Sequence, residues 1–293
     1  MAKTREIKKR IKAVGNIRRI TKTMQMIATS KFARAQAASV ATRPYTDSIF
    51  DLVGTLSAGL GEDAHALLKD GAAGAPSITL IMTSDRGLCG PYNGSILRTS
   101  MANFKRDPAA RAGEVEMIGR KGLSFMKFAG VKISRHLSQF GDKAKYEDVR
   151  AVADEYIARF LKGEISRVMI VSMKYISAGK QVPTVTQLLP FQPPERAKAA
   201  QAEAAGREQI YEFSPTAKEL LDELLPAAVR SVLFQAMNDA IVSEHVARMV
   251  AMKAATDNAG KAGKRLTRVY NRARQAQITT ELTEIISGAA ALE

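Results

Sequence analysis

Residues 84–94 read SDRGLCGPYNG, a glycine-rich stretch between an apolar run and a helical one. In a layered α/β fold this is where backbone N–H groups at a helix start cradle a phosphate. The spacing does not support that chemistry. It is neither G-x-G-x-x-G nor G-x-x-x-x-G-K-[ST]. The expected role is a tight strand-to-helix turn whose glycines take positive φ, with Arg86 at its tip placed to reach an outside partner. Cys89 as a nucleophile would need a neighbouring base and a lowered pKa, and no histidine lies near it in sequence.

Other catalytic chemistry is equally poorly supplied. Three scattered histidines (His65, His136, His245) and one cysteine do not make a zinc cluster. A single cysteine also excludes an internal disulfide. Acids are common on the helical stretches, but no pair stands out as general acid and base. The expectation is a chain with no catalytic residue, no metal and no cofactor.

Charge is the stronger signal. The net charge is +15, and residues 1–43 hold twelve Lys/Arg against Glu6 alone. Residues 261–274 hold six more and no acid. Blocks of this kind expect an acidic partner: nucleic acid, anionic lipid or an acidic protein surface. A nucleic-acid binder would add base readout or stacking, yet there is no Trp and aromatics are 6% of the chain. No stretch approaches eighteen uncharged apolar residues, so no membrane span is expected. The basic start lacks a signal-peptide core and reads as the mature beginning.

The elements that carry these residues change period along the chain. Ile7, Ile11, Val14, Ile17, Thr21, Met24, Ala28, Phe32 and Ala35 follow at steps of three and four, predicting one long helix. Pro44 is expected to kink or interrupt it. The pattern spans residues 1–60 and dissolves in a linker, 61–75.

From 76 to 214, β-rich runs (77–83, 114–119, 167–173, 184–190 and 209–214) alternate with helical stretches. That predicts an α/β domain with a mostly parallel sheet.

Residues 215–293 form a second long helix. Pro226 is expected near its start, where a first-turn proline is tolerated. Its seam is small: Ala236, Ala240, Ala247, Ala251, Ala254, Ala262, Ala273 and Ala276, with Val229, Leu233, Leu266 and Val269. Gly260 and Gly263 are a soft point.

Two long helices flanking one domain predict an antiparallel coiled coil. The longer C-terminal helix should overhang its partner. On that overhang Ile278, Leu282, Ile285 and Ile286 make one apolar stripe, and leaving it in water would forgo about 1.5–3 kcal/mol per side chain. Thr279 and Glu281 are polar exceptions. Glu244, Arg248 and Met252 share another face at steps of four.

IRRITKTMQMIATSKFARAQ near the start, SDRGLCG in the middle, and SEHVARMVAMKAATDNA and ITTELTEIISGAA at the end together resemble the gamma subunit of bacterial rotary ATP synthases. The resemblance covers essentially the whole chain, and departs mainly in residues 192–208. It implies a long antiparallel coiled coil of the terminal helices plus a Rossmann-like α/β middle domain that binds no nucleotide.

It further implies a central rotor stalk inside three alpha and three beta subunits, with epsilon and the membrane c-subunit ring as partners at the foot. Such a subunit would be peripheral to the cytoplasmic side of the bacterial inner membrane. Position by position, the resemblance places Met24, Arg86, Arg248, Gln275, Thr279 and Glu281 against the alpha/beta head. It makes Ile278, Leu282, Ile285 and Ile286 a bearing at the tip.

Overall fold

The computed structural model describes residues 2–60, 65–141, 143–192 and 216–290. The chain divides into two units: residues 1–30 with 248–293, and residues 31–247. Helix α1 (Ala2–Leu60) contributes to both, as does the last helix.

Among the described residues, the second unit is built on a five-stranded sheet. In chain order its elements are β1 (Ser77–Met82), α2 (Tyr92–Arg106), α3 (Pro108–Ala112), β2 (Glu114–Ile118), α4 (Arg120–Phe128), β3 (Arg135–Leu137), α5 (Tyr146–Leu161), β4 (Arg167–Ser177) and β5 (Lys180–Leu189). Helix α6 (Ala217–Ala290) completes the chain. The spatial order is β3-β2-β1-β4-β5. The first four strands are parallel, and β5 returns antiparallel along β4 as a hairpin.

Every residue of β1 is buried, as a central strand covered on both faces requires. Ile78, Leu80 and Met82 point into a core shared with α1, α5 and α6, through Val53, Tyr156, Leu225 and Leu233. Ile81 points the other way, to Ile96, Phe104 and Met126 of α2 and α4. Period-two alternation in the strands thus feeds two layers of helix.

A buried carboxylate on β2 interrupts this apolar interior. Glu116 of β2 is 1% exposed and accepts a 2.5 Å hydrogen bond from the Tyr156 hydroxyl on α5. Arg135 pairs with Glu155, and Arg159 with Glu114, on either side. Burial pushes the Glu116 carboxyl above its usual range, against the opposing pull of Tyr156 and Arg135.

In both units the long helices run antiparallel. In the first, Thr4 bonds Gln277 and Thr256 bonds Thr21. In the second, Ser39 bonds Asp239 and Thr42 bonds Gln235. Ile7, Val14, Thr21 and Ala28 recur every seven residues on the inner side of α1 in the first unit, as a helix pair demands. Their counterparts on α6 are Met252, Thr256, Ala259, Gly263, Leu266, Tyr270, Ala273 and Gln277, at steps of three and four.

Several expectations are corrected. Pro44 lies inside an uninterrupted α1. Pro226 lies well within α6, beyond its first turn. The roughly 3 kcal/mol each costs is offset by buried neighbours, Ile49 and Val53 around the first and Leu225 and Val229 around the second.

Ile17 is 52% exposed instead of lying in the seam. Ala254, Val269 and Ala276 are likewise turned outward on α6. Gly260 and Gly263 leave α6 continuous. The run expected at 209–214 lies outside the described residues.

Candidate functional site

The turn after β1 is organised by side chains of its own. Ser84 donates its backbone N–H to Asn93 Oδ1 and its hydroxyl to the Arg86 carbonyl. Asn93 Nδ2 in turn reaches Ser84 Oγ at 2.8 Å and Cys89 Sγ at 3.3 Å. Cys89 is buried, and its polar neighbours are an amide, a hydroxyl and a carbonyl. None of these is a base for a thiol nucleophile.

Gly90 takes the expected positive φ, but so does Leu88, at 63°. Strain of about 1–3 kcal/mol at a non-glycine residue is held by this hub, and it turns Leu88 outward, 62% exposed.

The sheet order reverses between β1 and β4, the place where open α/β sheets open a crevice. The crevice of about 190 Å³ lies instead at the carboxyl ends of β1 and β2, lined among others by Arg86, Gly119 and Arg120. It is not presented for a phosphate. The first N–H groups of α4 are already taken: Arg120 by Asp85 Oδ1, Lys121 by the Ser84 carbonyl, and Gly122 by Thr83 Oγ1. Met237, Ala240, Ile241 and Glu244 of α6 form the opposite wall. Arg86 is exposed, and both it and Glu244 line the crevice.

The first unit carries seventeen Lys/Arg against five Asp/Glu, so most of the +15 resides there. Its α1 shows apolar residues on two sides. The inner set meets α6. The outer set, Ile17, Ile20, Met24 and Ile27, is spaced three, four and three. The three isoleucines are more than half exposed and Met24 is half-buried. Arg248 is half-buried on α6.

Arg18, and not Ile17, lies toward α6. A Cβ on Gly260 would meet only the Arg18 side chain, at 3.7 Å. Arg18, the residue after Ile17, thus reaches the glycine through its guanidinium end, where an apolar seam residue was expected.

Beyond Gln277, residues 278–290 of α6 are all exposed. They extend about 20 Å at 1.5 Å per residue. Ile278, Leu282, Ile285 and Ile286 are exposed by 55 to 70%. Thr279, Thr280 and Thr283 turn their hydroxyls back onto carbonyls four residues earlier. Glu281 accepts from Gln277, and Gln275 is exposed.

The structure therefore gathers Thr279, Glu281 and the four apolar residues on one overhang, with Gln275 just before it on the paired part of α6. Met24 and Arg248 belong to the same unit, and Arg86 to the other. Sequence reading missed the outer stripe on α1, whose signal was there: Ile20 and Ile27 lie seven residues apart, off the seam.

A sequence model described as ATP synthase matches residues 3–292. A Rhodopirellula baltica protein named ATP synthase gamma chain is 40% identical over the full length of both chains. One of the same name from Variovorax paradoxus is 40% identical over 99% of each. Among solved structures, a chain of the Euglena gracilis mitochondrial ATP synthase (OSCP/F1/c-ring, rotational state 3) superposes with a TM-score of 0.67 at 21% identity, covering 99% of this chain and 95% of that one. A central stalk/c-ring chain from Tetrahymena thermophila gives 0.56 at 21% identity, covering 80% of this chain and 99% of that one.

Proposed function

The chain belongs to the ATP synthase gamma-chain family, and on that premise we propose that it is the central rotor stalk of a proton-translocating ATP synthase. In this role it couples rotation of the membrane c-subunit ring to ATP synthesis and hydrolysis at the beta subunits. It is a non-catalytic component, with the chemistry carried out by the subunits around it.

The observation that carries this reading is the surface of the first unit. A two-helix pair spends only a narrow seam on itself. It presents a second apolar stripe outward and concentrates positive charge around it. Such a surface is suited to being enclosed by an acidic, partly apolar sleeve. Three alpha and three beta subunits are that sleeve.

Met24 and Arg248 meet its loops from the helix pair, and Arg86 from the turn after β1. Gln275, Thr279 and Glu281 touch it in an angle-dependent way. The stripe Ile278, Leu282, Ile285 and Ile286 runs in an apolar collar, because burial is non-directional and does not pin a turning shaft. The α/β domain, residues 76–214, meets the epsilon subunit and the c-ring. Among the described residues no helix is long and apolar enough to cross a membrane, which fits a peripheral place on the cytoplasmic side of the inner membrane.

The test is copurification. The chain should come out in single copy with six larger subunits and support ATP-driven rotation. Tight ATP binding by the isolated chain, or a sequence-selective DNA complex that persists at physiological salt, would overturn the reading.

A further inference from the structure

Helix α4 turns one side to the interior and leaves the other in water. Gly122 and Met126 are buried, whereas Lys121, Phe125 and Phe128 lie together outward, at steps of four and three. Phe128 is 91% exposed and Phe125 40%. The turn that carries the exposed Leu88 comes up beside them, since a Cβ on Gly87 would meet Lys121 Cε at 3.6 Å.

The helix is not placed to roll and hide its rings. A Cβ on Gly122 would come within 2.5 Å of Met117 Cε and Thr83 Oγ1, and the Gly122 N–H is held by Thr83 Oγ1. The buried side is fitted too closely to its neighbours to be exchanged for another.

Positive charge surrounds the rings. Lys121 and Lys127 are exposed on the helix, and Lys132 is exposed just after it. No acid occurs between residues 119 and 134, and the nearby Asp85 is engaged with Arg120. Rings standing out among ammonium groups match an interface that is negative outside and apolar beneath. A protein partner would need a preformed pocket for each ring, whereas a lipid layer yields around them.

We propose that this face of α4 binds anionic phospholipid surfaces, with Phe125 and Phe128 entering the headgroup layer and Lys121 and Lys127 on lipid phosphates. None of these residues is among the individual contacts assigned to the rotor role, so the proposal stands or falls independently of that role.

The experiment mixes the full chain with vesicles of phosphatidylglycerol or of phosphatidylcholine at physiological salt. The sequence has no tryptophan, so Phe128→Trp supplies a single emission probe. With phosphatidylglycerol its emission should move to the blue and be quenched by brominated acyl chains. With phosphatidylcholine it should do neither.

The basic helix pair gives the chain a second, purely electrostatic route to such vesicles, so the decisive variant leaves charge alone. Phe128→Ser should weaken cosedimentation with phosphatidylglycerol about tenfold. Its melting temperature should hardly move, because the ring is already in water. Lys121→Glu with Lys127→Glu should abolish the blue shift of Phe128→Trp.

An unshifted, unquenched indole on vesicles that do carry the chain, no cosedimentation at all, or equal affinity of the chain and Phe128→Ser would overturn the assignment. So would a Phe128→Ser chain that binds vesicles normally but no longer copurifies with other subunits, which would give the face to an acidic protein surface.

Discussion

The hydroxyl of Thr256 on α6 donates to the hydroxyl of Thr21 on α1 at 2.8 Å, both side chains lying in the seam at 9% exposure. The Thr21 hydroxyl donates in turn to the Arg18 carbonyl, and the Met252 carbonyl competes as acceptor for the Thr256 hydroxyl. One polar rung in an apolar seam fixes axial alignment at a modest cost in stability. Thr256→Val alone should destabilise by about 1 kcal/mol, whereas Thr21→Val with Thr256→Val should be nearly neutral. A double-mutant cycle in chemical denaturation measures this. Strict additivity of the two single changes would mean the hydroxyls are not coupled.

Gly263 sits in the same seam with room to spare. A Cβ built there meets nothing closer than Val14 Cγ1, at 4.0 Å. The helix therefore carries the entropic cost of glycine without using its small size. Gly263→Ala should raise stability by about 1 kcal/mol, read as an increase in melting temperature. A drop would mean that this stretch bends in the native ensemble in a way alanine prevents.

Met24 tests the rotor reading. Met24→Lys places an ammonium beside an outward apolar stripe. If an acidic loop faces it, a charge-assisted bond of about 1.5–3 kcal/mol forms and must break at each step of rotation. Assembly should survive while ATP-driven proton pumping falls relative to ATP hydrolysis. An unchanged ratio would remove Met24 from the contact surface.

Two truncations separate the parts of the overhang. Ending the chain after Ser287 keeps the whole apolar stripe and should change complex yield little. Ending it before Gln275 removes the stripe together with Gln275, Thr279 and Glu281, and should lower yield and torque together. Full torque in the shorter chain would show that the tip is not a bearing.

Glu116 gives a pH signature. Its folded pKa is raised by burial, so the folded state holds the proton more tightly than the unfolded one. Below the unfolded value of 4.5 both states are protonated and no penalty exists. The penalty grows as pH rises from there and levels off above the raised folded value. Glu116→Gln keeps an acceptor for Tyr156 and should flatten this fall, leaving the protein as stable or more so at pH 7. Calorimetric melting from pH 4.5 to 8 compares the two; parallel curves would contradict the assignment.

Much of this architecture could be read before the structure, and the misses have physical causes. Helix α1 and strands β1, β2, β4 and β5 carry clear periods. Strand β3 has three residues, too few for alternation to register. Helix α4 contains Gly122, a poor helix former retained because a Cβ would come within 2.5 Å of Thr83 Oγ1 and Met117 Cε.

The seam was misplaced by one position at Ile17, because hydropathy does not anticipate an Arg18 side chain that reaches a glycine on another helix. The turn at 84–94 was legible as a turn. Its positive φ at Leu88 was not, since the forcing contacts come from Asn93 and Ser84.

The self-satisfied hydroxyls of Thr279, Thr280 and Thr283 have a cellular consequence. With its polar groups closed on themselves and four large aliphatic side chains in water, the end of α6 is an adhesive segment on any copy that has not found a ring. Cells making more of this chain than of its partners should see the surplus captured by chaperones or degraded. Copy number would then be matched to the assembly by quality control acting on one helix end.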